Sequence, residues 1–209
     1  RVIGSLEDKF KTVNKILKSR KAAGKNTLFY CGDGSTEHEN DTLRDILKLT
    51  SILDENGWKT SKFTADETHN TRVGILKNLK NNDINAIVAI RVLDEGFDIP
   101  QCEEAFLIAS SRNSRQFIQR RGRVLRTSPD TGKTKAEIQD FIVLPNNNNK
   151  IGKALVNNEL KRAYEFSRVA KNKNQLMIEM QSIADKFDID FMELVNNEDE
   201  ARKALFEMT

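Results

Sequence analysis

Between Gln119 and Arg126 the sequence reads QRRGRVLR, four arginines and one glycine in eight positions, and no acidic residue occurs from Ala105 to Pro129. Arginine stays protonated and presents a planar fork of donors that fits phosphate oxygens in pairs. That chemistry calls for a phosphate-bearing partner, either a nucleotide in an active site or the backbone of a nucleic acid. A solvated basic helix face is the plainer alternative, and spacing weighs against it. Phe117 and Ile118 anchor a short helix after Asn113, Gly122 ends it, and Arg123 and Arg126 fall on the chain beyond. A glycine lets backbone approach closely, so forks at fixed offsets from it suit a defined phosphate better than loose solvation.

Other stretches imitate phosphate and metal sites without completing them. TGKTK at 131–135 looks like the end of a phosphate-binding loop, but that pattern requires glycine where Thr127 stands, and the stretch precedes a strand instead of joining a strand to a helix. Asp94 and Glu95 follow a strand-like run as a magnesium-holding pair would, yet no phosphate loop lies upstream of them. His38 and His69 are isolated and Cys31 and Cys102 are far apart in sequence, so no metal cluster is expected.

These residues need a scaffold, and 209 residues suffice for one full domain with an appendage. The formal charge of +3, from 34 basic and 31 acidic residues, is too balanced to identify a nucleic-acid binder by itself. Two cysteines, no secretory leader and no apolar run of bilayer length read as an intracellular, reduced, soluble and cytoplasmic protein.

Apolar periodicity predicts a helix from Ser5 carrying Phe10, Val13, Ile16 and Leu17, then a strand over Thr27 to Cys31. A long helix with Leu43, Ile46, Leu47 and Leu53 inward follows, closed by Gly57. WKTSKF leads to a polar loop, Thr64 to Asn70, and a helix through Ile75, Leu76 and Leu79; INAIVAI (84–90) and EAFLIAS (104–110) read as strands buried on both faces, and EIQDFIVLP as another strand. Alternating strands and helices predict an α/β fold with a parallel sheet covered on both faces. After the surface stretch NNNNK (146–150) the pattern turns helical to the end, with Val156, Leu160, Ala163, Phe166 and Ala170 as one stripe and Leu176, Ile178 and Ile183 beyond. The expected organisation is a domain over 1–146 and a helical extension over 147–209 that packs on it. Ligands of parallel sheets bind beyond the carboxyl ends of the strands, which would collect Asp33, Arg91, Asp98 and the Arg123 region on one rim.

Taken together, four stretches resemble the motifs of superfamily 2 helicases and translocases. Gln119, Arg120, Gly122, Arg123 and Arg126 are similar to motif VI, VLDEGFDIP (92–100) to motif V, LFYCGDG (28–34) to motif IV, and FTADETHNTR (63–72) to the segment between, with an arginine opening the next helix. Their order and separations match the family from Leu28 to Pro145. The wording is most similar to the branch of type I and type III restriction subunits and excision-repair helicases, and less to DEAD-box RNA helicases.

The resemblance implies the second RecA-like domain of a two-domain ATP-driven motor, the C-terminal half of a longer protein whose first RecA-like domain binds most of the ATP and Mg2+. It implies arginine fingers at Arg123 and Arg126, Gln119 at the γ-phosphate or attacking water, and Gly96 and Asp98 near the ribose. It implies nucleic-acid backbone contacts at Gly32, Asp33, Ser35, Thr64 and Arg91, the last standing where a threonine is common. DNA, in double-stranded form, is the expected partner. An RNA helicase domain and a non-catalytic nucleic-acid-binding module are the alternatives.

Overall fold

The computed structural model describes residues 6–32, 39–64, 66–90, 102–108 and 132–207. Its sheet unit runs from α1 (Leu6–Lys18) through β1 (Thr27–Gly32), α2 (Glu39–Glu55), β2 (Thr60–Phe63), α3 (His69–Lys80), β3 (Ala86–Ile90), β4 (Glu104–Leu107) and β5 (Glu137–Asp140). All strand pairs are parallel, in the order β2-β3-β1-β4-β5. The alternating strand and helix pattern therefore becomes a RecA-like parallel sheet with helices.

Each helix forms where an apolar stripe meets terminal signals. On α1, Phe10, Val13 and Leu17 are buried, with Glu7 and Asp8 in the first turn and Lys15 and Lys18 in the last, where they complement the helix dipole. On α2 the buried stripe is Ile46, Leu49 and Leu53, and Leu47 is 58% exposed, so the expected inward set is corrected at that position. One residue is about 100° of helix rotation, and the stripe at spacings of three and four passes Leu47 by. Gly57 closes α2 at φ +77; its N–H donates to Asp54 O (2.9 Å) and Trp58 N–H to Leu53 O (3.0 Å), a Schellman turn that only glycine enters without strain.

The core under α1 and α2 joins their stripes to Phe29, Cys31, Val88, Phe106 and Ile108 of the sheet. Phe29 stacks on Phe106 at 4.6 Å and meets Trp58 edge-on at 5.4 Å. The alternate positions Leu28, Tyr30, Ile87, Ala89, Ala105 and Leu107 are buried too. Both faces are thus covered, which is why these strands read as continuous apolar runs. At the amino end of the sheet, Arg20 grips Glu104 with both guanidinium nitrogens, Nη1 to Oε2 at 2.7 Å and Nη2 to Oε1, and lies over the Phe106 ring.

A second compact unit begins at Ile142. It holds α4 (Lys150–Ser167), α5 (Lys173–Lys186) and α6 (Phe191–Glu207). Asn149 caps α4, accepting from the Gly152 N–H at 2.8 Å. The buried stripe of α4 is Val156, Leu160, Tyr164 and Ser167, rotated from the expected one: Ala163 is only half-buried. Tyr164 wins the inward position because its ring fills the core while its hydroxyl donates to Asp199 Oδ1 at 3.0 Å. Ile178 is 66% exposed, and Met180 and Ala184 take the inward side of α5, with Phe187 buried just past its end. Lys161–Glu198, Arg168–Asp199 and Arg202–Glu165 pair at 3.1, 2.5 and 2.9 Å.

Candidate functional site

The carboxyl edge of the sheet brings together the residues that precede the candidate motifs. Gly32, the last residue of β1, lies opposite Ile90, the last of β3, and Ile108, just past β4, donates its N–H to Tyr30 O at 3.0 Å. The sequence continues from these three strand ends into 33–38, 91–101 and 109–131. The connection from β1 leads to β2 on one side of it, and that from β4 leads to β5 on the other, so β1 and β4 flank a switch point of the kind that holds ligands in open parallel sheets. Asp33, Ser35, Arg91, Gly96, Asp98, Gln119, Arg123 and Arg126 themselves lie outside the described residues. Gly32 and Thr64 lie within them, at the ends of strands two places apart, roughly 10 Å at normal strand spacing.

Thr64 follows the last residue of β2 and is buried. Its carbonyl accepts from Arg72 Nη2 at 2.8 Å, its N–H donates to Glu67 Oε2, and its hydroxyl makes long contacts with Asp66, accepting from that N–H at 3.3 Å and lying 3.4 Å from Oδ2. Arg72 is itself buried, with its guanidinium over the Phe63 ring at 5.7 Å. Its position follows from α3, which Thr68 caps by accepting from the Thr71 N–H at 3.2 Å; the cap fixes the helix start and so sets Arg72 one turn in. Lys9, from the first turns of α1, donates to Ile108 O at 2.7 Å, fixing the backbone at the point where the chain leaves β4.

Sequence reasoning noted Arg72 only as an arginine opening a helix, and gave Glu67 and Lys9 no place. The signal for Glu67 and Arg72 was their spacing, three and eight residues beyond Thr64 around a helix start. For Lys9 no local signal exists, because Ile108 lies 99 residues away.

Burial pushes the Cys102 thiol up to about 12, with Lys133 opposing it, and pushes Cys31 up as well, with the Asp45 charge adding to the effect. Neither thiol is poised for thiolate chemistry. Gly132, in the stretch imitating a phosphate loop, sits at φ +68 in a turn on the way into β5, the opposite end of the strand from a ligand loop. Among the described residues no group of three or more His, Cys, Asp or Glu side chains could hold a metal ion. None of their helices is long and apolar enough to cross a membrane.

The family described as the helicase conserved C-terminal domain matches residues 8–128, more than half of the chain. A protein of Sulfolobus islandicus filamentous virus named helicase 22 is 34% identical over 99 residues, 46% of this chain and 17% of its own. Dicer-like protein 2 of Phaeosphaeria nodorum is 29% identical over 38% of this chain and 6% of its own, and the DNA 3'-5' translocase XPB2 of Sulfurisphaera tokodaii is 36% identical over 33% and 14%. The chain thus spans under a fifth of each of these three relatives. The C-terminal part of the Fun30 ATPase domain superposes with a TM-score of 0.51 at 15% identity, over 64% of this chain and 40% of that one. The RNA helicase Prp28 from Chaetomium thermophilum, bound to ADP, gives 0.50 at 14% identity over 89% and 36%. At these identities the structures speak to the fold.

Proposed function

This chain belongs to the helicase conserved C-terminal domain family of superfamily 2, and from that premise we propose that it is the C-terminal motor half of an ATP-dependent DNA helicase or translocase. The observation that carries the reading is the shared carboxyl edge: β1, β3 and β4 are adjacent and parallel, so the chain enters all three motif-bearing stretches from one rim. The family match extends through 128 and so includes QRRGRVLR.

In this reading Arg123 and Arg126 stabilise charge on the transferring phosphoryl group of an ATP held with Mg2+ mainly by an N-terminal RecA-like domain, an effect worth ~10³–10⁵ in rate in phosphoryl-transfer enzymes. Gln119 meets the γ-phosphate or attacking water, and Gly96 and Asp98 lie near the ribose. Gly32, Asp33, Ser35, Thr64 and Arg91 follow the nucleic-acid backbone, which backbone N–H groups and short side chains can hold without reading sequence. The helices of 147–209 are an extension of this motor domain, and the chain by itself hydrolyses no ATP. The likeness to the DNA 3'-5' translocase XPB2 supports DNA and the excision-repair branch. The likeness to the endoribonuclease dcr-1 of Caenorhabditis elegans keeps an RNA-directed member of the same superfamily as the second reading.

The test uses a parent protein that also carries the first motor domain, at one fixed salt concentration, since backbone binding is salt-dependent. Arg126→Lys keeps the charge and loses the fork, so ATP turnover falls by orders of magnitude while DNA affinity without nucleotide holds. Thr64→Ala with Arg91→Ala does the reverse: weaker DNA binding, more DNA needed to stimulate turnover, basal turnover kept. Arg126→Lys that weakens DNA binding and spares turnover would make these arginines nucleic-acid contacts and the finger assignment wrong.

A further inference from the structure

Thr64 is the one described side chain assigned to the nucleic-acid track, and its backbone donor is already in use. Glu67 Oε2 accepts the Thr64 N–H, while Arg72 holds the Thr64 carbonyl at 2.8 Å and Asp66 faces the hydroxyl at 3.4 Å. A carboxylate oxygen and a phosphate oxygen are the same kind of acceptor to an N–H, anionic and charge-assisted, and one N–H cannot serve both with good geometry. We propose that the Glu67 carboxylate stands in the position of a backbone phosphate on the Thr64 amide and must leave before that amide can hold nucleic acid. Glu67 thereby sets the affinity of this part of the track.

The proposal rests on the reading of Thr64 as a backbone contact. Three features make the exchange workable. The Thr64 carbonyl is fixed by Arg72 independently of Glu67, and Arg72 is seated on the Phe63 ring, so the peptide plane keeps its orientation when the carboxylate departs. Glu67 is half-buried and borders exposed residues Asp66 and Thr68, so it has solvent to swing into. Asp66 and Glu67 also place two negative charges at the contact point, and a backbone phosphate meets their repulsion unless Glu67 turns away.

The test measures equilibrium binding of labelled single-stranded and duplex DNA and RNA oligonucleotides to the complete chain, with thermal unfolding of every variant as the check on folding. Glu67→Gln keeps an acceptor of the same shape for the Thr64 N–H and removes the charge; Glu67→Ala frees the amide. Glu55→Gln is the matched control, an exposed carboxylate at the end of α2 before the amino end of β2. Expected is tighter binding by roughly three- to tenfold for both Glu67 variants, the net scale of one ordinary hydrogen bond given up, with Glu55→Gln changing little. Glu67→Gln that binds no tighter than Glu55→Gln, or more weakly than the parent sequence, overturns the proposal. Arg91→Ala separates the two levels. If it weakens binding while Glu67→Gln does nothing, the Glu67 assignment alone falls; if neither has any effect, the track reading falls with it.

Discussion

At the amino end of the sheet, charge answers charge. Arg20 spans to Glu104, 84 residues away, and the Glu104 hydrogen bond raises the Arg20 pKa against the opposing effect of burial. Asn26 donates to Glu103 at 2.9 Å, and Gly24 tucks under Trp58 and Thr27. At the carboxyl end the described charges answer backbone instead: Lys9 holds the Ile108 carbonyl, Arg72 the Thr64 carbonyl and Glu67 the Thr64 N–H. One edge closes a core. The other fixes the backbone positions from which the motif-bearing stretches depart, and rigid support of departing loops is what a site on loops requires.

The largest effects should fall on opposite sides of that contrast. Arg126→Lys in a motor-complete parent is expected to lower ATP turnover by orders of magnitude with unfolding temperature unchanged. Arg20→Met is expected to destabilise by about 2–4 kcal/mol, since it leaves the Glu104 carboxylate buried without its cation, while turnover per folded molecule stays near normal. Denaturant unfolding and ATPase assays on both variants check the pair. An Arg20→Met protein of normal stability and reduced turnover would erase the distinction between the edges.

The same contrast explains what could be read from the sequence. Strands buried on both faces announce themselves as apolar runs, so β1, β3 and β4 were legible along with the parallel fold. Helix stripes were legible in period and not always in phase: Leu47 and Ile178 point outward, and Tyr164 displaced Ala163, because helical spacing alone cannot tell which of two adjacent apolar residues the core will take. The motif stretches could be picked out because each is short and contiguous. The contacts that hold the two edges of the sheet were not, since Lys9–Ile108 and Arg20–Glu104 join positions 99 and 84 apart. A pairing at that range becomes visible only when the sheet order is known.

Two glycines give an intermediate test. A Cβ at Gly24 would lie 2.8 Å from Trp58 Cη2 and 3.0 Å from Thr27 Oγ1, so Gly24→Ala must shift a packed indole and should destabilise by about 1–3 kcal/mol. At Gly74, within α3, nothing lies within 4 Å of a Cβ, and Gly74→Ala should stabilise by about 0.5–1 kcal/mol through helix propensity. Paired unfolding curves decide. Equal and small changes would mean that the amino edge is looser than its packing implies.

The smallest effect sharpens the comparison by moving to a charge pair on the exposed surface. In the helical unit Asp188 accepts from Lys153 Nζ at 3.2 Å and from Asn148 Nδ2 at 3.0 Å. The Lys153 hydrogen bond, then that of Asn148, holds its carboxyl below the ordinary carboxylate value. A folded-state pKa below the unfolded one means that the stabilisation is complete above the unfolded value and disappears as pH falls through the folded one. The Asp188 side chain is 73% exposed, so solvent screening leaves the pair little to contribute. Lys153→Met should therefore unfold slightly below the parent temperature at neutral pH, and the gap should close as pH falls through the lowered folded-state value, where the carboxyl takes up its proton. Arg20→Met, whose Glu104 partner is only 11% exposed, should instead show a gap several times larger at neutral pH. If the two gaps are equal there, burial is not what separates the amino edge from the exposed surface, and the contrast drawn from Arg20 and Glu104 fails.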